Sequence, residues 1–292
     1  MKRHEASQAL ACGCELGEGP QWHADSGRLY WCDILAGRLH WLTPASGDNG
    51  HLDFGHYISL AAPLEGGDLL IVGENSLERF DPFRGSRTHL MDFEADNPVT
   101  RSNDGRVDRH GSLWLSSMGK AAEAGAGSLY RLHRGELVKL RDGLTIPNAI
   151  CFSPLGERAY FADTARDIVY CWALDHEGWP LGEPIPWLDC TQWGGSPDGA
   201  VIDRDGAMWL ALWGAGKVVR LTPDARVVAE IHLPTSQPSC PAFGGERLDR
   251  LYITTAREGM DAARRQGDRM AGNLFEAVLA TPGLAEMPLR LK

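Results

Sequence analysis

Short apolar runs alternate with polar turns from one end of the chain to the other. The segments "SGRLYWCDILAGRLHWL", "GGDLLIVGENSLERFDP", "HGSLWLSSM" with "GSLYRL", "GERAYFADTARDIVYCWAL", "DGAMWLALWGAGKVVRLTP" and "LDRLYITTA" with "GNLFEAVL" share one grammar. Each has a Gly- or Asp-containing turn, a few apolar or aromatic residues, a polar turn and a second apolar run, which is the pattern of a β-hairpin. With Tyr30, Leu70, Trp114, Tyr160, Trp209 and Tyr252 taken as equivalent, the steps are about 40 to 49 residues and six units fill the chain. Units of this length carrying an aromatic and a turn are typical of propeller blades. The pattern predicts an all-β, six-bladed β-propeller, a single domain over 1–292. A strand within 7–15 should complete the last blade and remove its exposed edge. Helical periodicity is scarce: "REGMDAARRQ" (257–266) has room for a turn or two.

Composition narrows the partners. The chain has 292 residues, 43% hydrophobic and 23% charged, close to globular averages. Its 29 basic and 39 acidic residues give a net charge of −10 with no block of like charge. Nucleic acid and anionic membranes are excluded, since both call for a basic stripe. No segment reaches about 18 consecutive apolar residues, and the opening residues do not resemble a secretory signal. The seven cysteines are scattered and mostly embedded in apolar runs, so reduced, buried thiols in a reducing cytoplasm are expected. Cys12 and Cys14 form a C-x-C pair suited to a soft metal, but no second Cys or His pair stands at zinc spacing. The ten histidines include no H-E-x-x-H pair and are read as surface groups in turns and on outer strands.

Four stretches combine acids and amides with Gly or Pro just before an apolar run: "ELGEGPQW", "TRSNDGRVD", "TIPNAICF" and "GSPDGAVID". They set Glu18, Asn103, Asn148 and Asp198 in comparable places on different blades. Any one of them can be read as a turn residue bonding its own backbone. Four in equivalent places, where a propeller gathers its inner-strand loops at one mouth, point to a shared site. Paired carboxylates there need a cation, and an all-oxygen set suits calcium, magnesium or manganese, with zinc possible at an open position. In "SPDGAVIDRDGAMWLAL" the two Asp-Gly turns divide: Asp198 precedes the inner run and points to the channel, whereas Asp205 sits in the following hairpin turn.

At these residues the chain resembles the SMP-30/gluconolactonase/regucalcin family of six-bladed propellers. The likeness runs through "GEGPQW", "RSNDGRVD", "IPNA", "SPDGAVID", "GKVVRLTP" and "LYITTA", in that order. It implies hydrolysis of a sugar-acid lactone with one divalent cation (Ca, Mn, Mg or Zn). Glu18, Asn148 and Asp198 match the family's metal ligands, Asp198 also the proposed general base, and Arg101 and Asn103 the positions that hold substrate oxygens. The family often has an acidic residue soon after the strand written here "LWLSSM". This chain has Lys120, Ala121 or Ala122 there, with Glu123 the nearest acid. Two other readings share these residues: a non-catalytic calcium-binding scaffold, and a metal-dependent esterase for less polar substrates. An arginine at the open side of the ion speaks against the first and the polar loops against the second. No G-x-S-x-G elbow and no Walker loop is present.

Overall fold

A computed structural model describes residues 1–292. Six antiparallel sheets follow one another in chain order as the blades of a β-propeller. The first strand of each blade is the innermost: Gly17–His23, Ile58–Pro63, Thr100–Val107, Pro147–Phe152, Ser196–Ile202 and Pro238–Gly244. These strands pack against one another around the axis and are buried along almost their whole length. The repeat positions, five aromatic and one leucine, fall in the second strands, where Tyr30, Leu70, Trp114, Tyr160, Trp209 and Tyr252 are all buried. They fill the wedges between neighbouring blades; Trp114 of blade 3, for example, meets Phe152 of blade 4 edge to face, with ring centroids 5.5 Å apart.

Ser7–Leu10 pairs antiparallel with Leu274–Val278 and completes blade 6, closing the ring. One further strand has no counterpart in the repeat pattern: Lys2–Glu5 runs parallel to Val227–His232 as a fifth strand of blade 5. It covers an edge that would otherwise present unpaired backbone groups. The helix is Ala262–Gly267, with Asp261 as an N-cap accepting from the Arg264 amide. No helix is long and apolar enough to cross a membrane.

All seven cysteines are free thiols, six of them buried and Cys12 half-buried. The expectation that every histidine lies at the surface fails for His23 and His40, which are buried. His40 is the cross-strand partner of Trp31 and stacks on it at 5.2 Å, so strand alternation turns it onto the face of blade 1 that packs towards blade 6.

The feature that builds the site is a bulge repeated in all six inner strands. Pairing with the second strand slips between Glu18 and Gln21, Ile58 and Leu60, Ser102 and Gly105, Asn148 and Cys151, Pro197 and Ala200, and Pro238 and Pro241. A bulge re-aims the side chains beside it, here at the same height around the ring.

Candidate active site

Glu18, Asn103, Asn148 and Asp198 all sit at these bulges: Glu18 and Asn148 as the last paired residue, Asn103 and Asp198 as the first unpaired one. The local sequence explains the geometry. Gly19 has φ 55°, and a Cβ there would collide with the Ser59 carbonyl of blade 2. A Cβ on Gly199 would collide with the Cys240 sulfur of blade 6. Glycine after each carboxylate lets the neighbouring inner strand close in and leaves the carboxylate facing the axis.

The structure brings all five residues singled out by the sequence into one pocket of about 370 Å³, together with Glu258, which precedes the helix. Arg101 Nη1 donates to the Ser102 carbonyl (2.9 Å) and to Asn103 Oδ1 (3.0 Å). Asn103 Nδ2 donates to Asn148 Oδ1 (2.8 Å) and to the Pro147 carbonyl (3.1 Å). Asn148 Nδ2 donates to Thr164 Oγ1 (2.9 Å), which donates to the Pro197 carbonyl (2.7 Å). This chain ties blades 3, 4 and 5 together. It fixes which end of the Asn148 amide is oxygen and leaves that oxygen a second lone pair.

The carboxylates are less well provided for. Glu18 accepts one backbone bond, from Gly19 (2.9 Å), and neither Glu18 nor Asp198 has an ion-pair partner. Burial pushes Glu18 up to about 8, with the Asp104 charge adding to the rise. Burial, then Glu18 and Asp104, hold Asp198 well above the usual carboxylate range. Buried carboxylates that raise one another call for a positive charge, and two of them with an amide oxygen form a hard donor set that fits a divalent cation.

Two carboxyl groups in or next to the pocket were not singled out in the sequence. Asp104 is buried next to Asn103; it accepts the amides of Gly105 (2.7 Å) and, on blade 4, Ile150 (2.9 Å), and its charge bears on both Glu18 and Asp198. Its Asp-Gly spelling matches that of Asp198 and was the available signal. Glu258 reaches the pocket from an irregular segment with no pattern to mark it.

On the loop where the family resemblance calls for an acid, Lys120, Ala121 and Ala122 line the pocket, and Lys120 is ion-paired with Glu74. Glu123 folds back to accept the Ala121 amide (3.0 Å) and is not part of the lining. Trp213 forms one wall. A larger cleft, about 570 Å³, runs between the outer parts of blades 1 and 6. Four of its charged groups pair, Arg247 with Asp249 and Arg250 with Glu276, which leaves Glu246 alone and no convergence of unpaired groups like that of the axial pocket.

The chain belongs to the SMP-30/gluconolactonase/LRE-like family, whose model matches residues 16–257. It is 36% identical over 279 residues to an L-arabinolactonase of Azospirillum brasilense, covering 92% of this chain and 90% of that one. It is 34% identical over 278 residues to a 6-deoxy-6-sulfogluconolactonase of Pseudomonas putida, covering 93% and 94%. Among solved structures, a calcium-binding protein, regucalcin, from Agrobacterium tumefaciens strain C58 superposes over the whole of both chains with a TM-score of 0.96 at 35% identity.

Proposed function

We propose that this protein hydrolyses a sugar-acid (aldono-) lactone to the open-chain aldonic acid, using one divalent cation held by Glu18, Asn148 and Asp198. The observation that carries this reading is the pair of buried carboxylates without an ion-pair partner in a pocket that also holds Arg101. The arabinolactonase and sulfogluconolactonase relatives support the lactone as substrate class, and the calcium-binding regucalcin supports the cation. The all-oxygen donor set favours calcium, magnesium or manganese over zinc.

When bound, such a cation acts as a Lewis acid on an ester carbonyl and makes water more acidic. The remaining steps fall to the chain's own residues. Asp198 takes a proton from the attacking water and returns one to the ring oxygen as the acyl C–O bond breaks, which regenerates the carboxylate. Arg101 spends only Nη1 within the protein, leaving three N–H donors for the carbonyl or a hydroxyl of the substrate. Asn103 gives both N–H groups to Pro147 and Asn148, so it positions the Asn148 ligand and meets a substrate hydroxyl only through Oδ1. Trp213 offers a flat wall to the sugar ring. In this reading residues 1–292 work as one domain, and the seven free thiols favour the cytoplasm as its location.

The test is a panel of aldonolactones assayed by acid release with chelated protein, with protein resupplied with each divalent ion, and with Asp198→Asn. Turnover that disappears on chelation, returns with a divalent ion and is absent from Asp198→Asn supports the reading. No turnover on any lactone with any divalent ion overturns it and favours an ion-binding scaffold.

A further inference from the structure

Where the chain passes from blade 6 into blade 1, the C-x-C pair meets two groups that sequence spacing does not reveal. Cys14 Sγ lies 3.7 Å from His40 Nε2, and a carboxylate oxygen of Asp33 lies within 4.8 Å of both. The Cys12 thiol, two residues back, is turned to the Gly272 carbonyl (3.2 Å) and stands outside that three-residue cluster. Cys14, Asp33 and His40 are buried, and Cys12 is half-buried at the outer side.

Blade 4 supplies an internal control. Asp33 ends the second strand of blade 1 and accepts the amides of Glu15 (2.9 Å) and Leu16 (3.0 Å), which lead into the inner strand. Asp163 ends the second strand of blade 4 and accepts the corresponding amides of Thr145 (3.3 Å) and Ile146 (3.0 Å). Counting back from those amides sets Leu144 where blade 1 has Cys14. The strand register sets Tyr170, opposite Phe161, where blade 1 has His40, opposite Trp31. Holding the crossover therefore needs the carboxylate but neither the thiol nor the imidazole.

We infer that Cys14, His40 and Asp33 form a second metal site, for zinc or another thiophilic divalent ion, distinct from the axial pocket and clamping the ring closure, with Cys12 completing the set when its side chain turns from the Gly272 carbonyl. Sulfur and nitrogen ligands at zinc distances and a tetrahedral angle lie about 3.6 Å apart, close to the separation seen between Cys14 and His40. Two sulfurs, one imidazole and one carboxylate are zinc's ligand types and not those of calcium or magnesium. The supporting contacts are in place: Asp33 is oriented by the amides of Glu15, Leu16 and Ala36, and the His40 ring is pinned by its stack on Trp31. The Cys14 amide bonds to the Gly272 carbonyl (2.7 Å), just before the third strand of blade 6. An ion held by Cys14, His40 and Asp33, and by Cys12 once turned to it, therefore ties the first blade to the last at the seam of the ring.

The experiment uses the full chain, stripped with chelator and kept in excess calcium so that the oxygen-rich axial pocket is occupied by a hard ion. Cadmium(II) is then titrated in. One equivalent should produce a thiolate-to-cadmium charge-transfer band, and zinc(II) should displace it and protect Cys12 from alkylation. At roughly a hundredfold above its dissociation constant, zinc(II) should raise Tm by about 5 °C. Cys12→Ser and His40→Asn should each weaken cadmium binding at least about tenfold. Absence of the band in the wild-type chain, or an unchanged affinity in both variants, overturns the site. The alkylation readout needs no variant, and lactone turnover enters none of these measurements.

Discussion

The inner strand of blade 5 carries a buried aspartate at its mouth and another just past its far end, and the two are treated in opposite ways. Asp203, at the turn end, accepts the Asp205 and Ala207 amides (3.0 Å each), Trp209 Nε1 (3.0 Å) and Arg220 Nε (2.7 Å). Blade 3 repeats the device: Asp108 accepts the His110 and Ser112 amides (2.9 Å each) and two bonds from a wholly buried Arg131. Asp198, five residues before Asp203, has no ion-pair partner, and neither has Glu18, although the Arg101 charge in the same pocket offsets part of the rise at Glu18. A saturated buried charge holds a turn. An unsaturated one costs folding free energy, and its persistence at one end only of the propeller marks where chemistry is located.

The comparison is broken most directly at Asp198. Asp198→Asn should lower lactone turnover by about 10²–10⁴-fold, the scale of a lost general base. In chelated protein the same change should leave stability equal or higher, because it removes an unpaired buried charge. Coupled kinetics and denaturant unfolding check both halves, and a variant that loses stability while retaining turnover would place Asp198 with the turn carboxylates. At the other end the signs reverse. Arg131→Met leaves Asp108 buried without its partner and should cost about 3–5 kcal/mol in denaturant unfolding, while turnover per folded molecule stays within a factor of a few.

A pH scan sharpens the same contrast. In the unfolded chain Glu18 and Asp198 titrate near 4, whereas in the cation-free fold both are held higher, Glu18 at about 8. Between those values the folded state keeps protons that the unfolded state has released. Stability of chelated protein therefore falls as pH rises from about 4 to about 8. A divalent cation opposes that loss, so the gain in Tm on adding it should grow over the same window. Glu18→Gln should make the slope of the chelated protein shallower. A Tm of chelated protein that rises through this range, or a slope that Glu18→Gln leaves unchanged, contradicts the assignment of these carboxylates as the unpaired charges.

The blades were legible in the sequence because each is contiguous: a hairpin and its turn lie within about 40 to 49 residues, and a buried residue, aromatic in every blade but the second, recurs at Tyr30, Leu70, Trp114, Tyr160, Trp209 and Tyr252. Four of the five pocket residues, Glu18, Asn103, Asn148 and Asp198, were legible because each stands beside Gly or Pro, or within a few residues of one, at the start of an inner strand, whereas Arg101 was marked only by the family resemblance. Contacts made between strands of different blades were not. Asp104 was passed over because its role depends on reaching the Ile150 amide on blade 4. Glu258 enters from a segment without periodicity, and His40 is buried by a strand alternation that a histidine count cannot see. The parallel strand Lys2–Glu5 pairs with residues more than 200 positions away and has no turn to announce it.

The two Asp-Gly turns of "SPDGAVIDRDGAMWLAL" give the smallest and most discriminating effect. Asp205 occupies the hairpin turn, yet the residue that organises that turn is Asp203, whose carboxylate receives the Asp205 amide. The Asp205 side chain is 64% exposed and makes two surface contacts, to Arg220 Nη2 (3.1 Å) and Thr281 Oγ1 (3.3 Å). Exposed pairs of this kind are worth about 0–1 kcal/mol, and Arg220 keeps its bond to Asp203 without it. Asp205→Ala should therefore change unfolding free energy by less than about 1 kcal/mol and leave turnover unaltered, although its spelling matches that of Asp198. A loss comparable to that of Arg131→Met would mean that the turn end relies on its surface charges, and the division between saturated and unsaturated buried carboxylates would no longer separate framework from site.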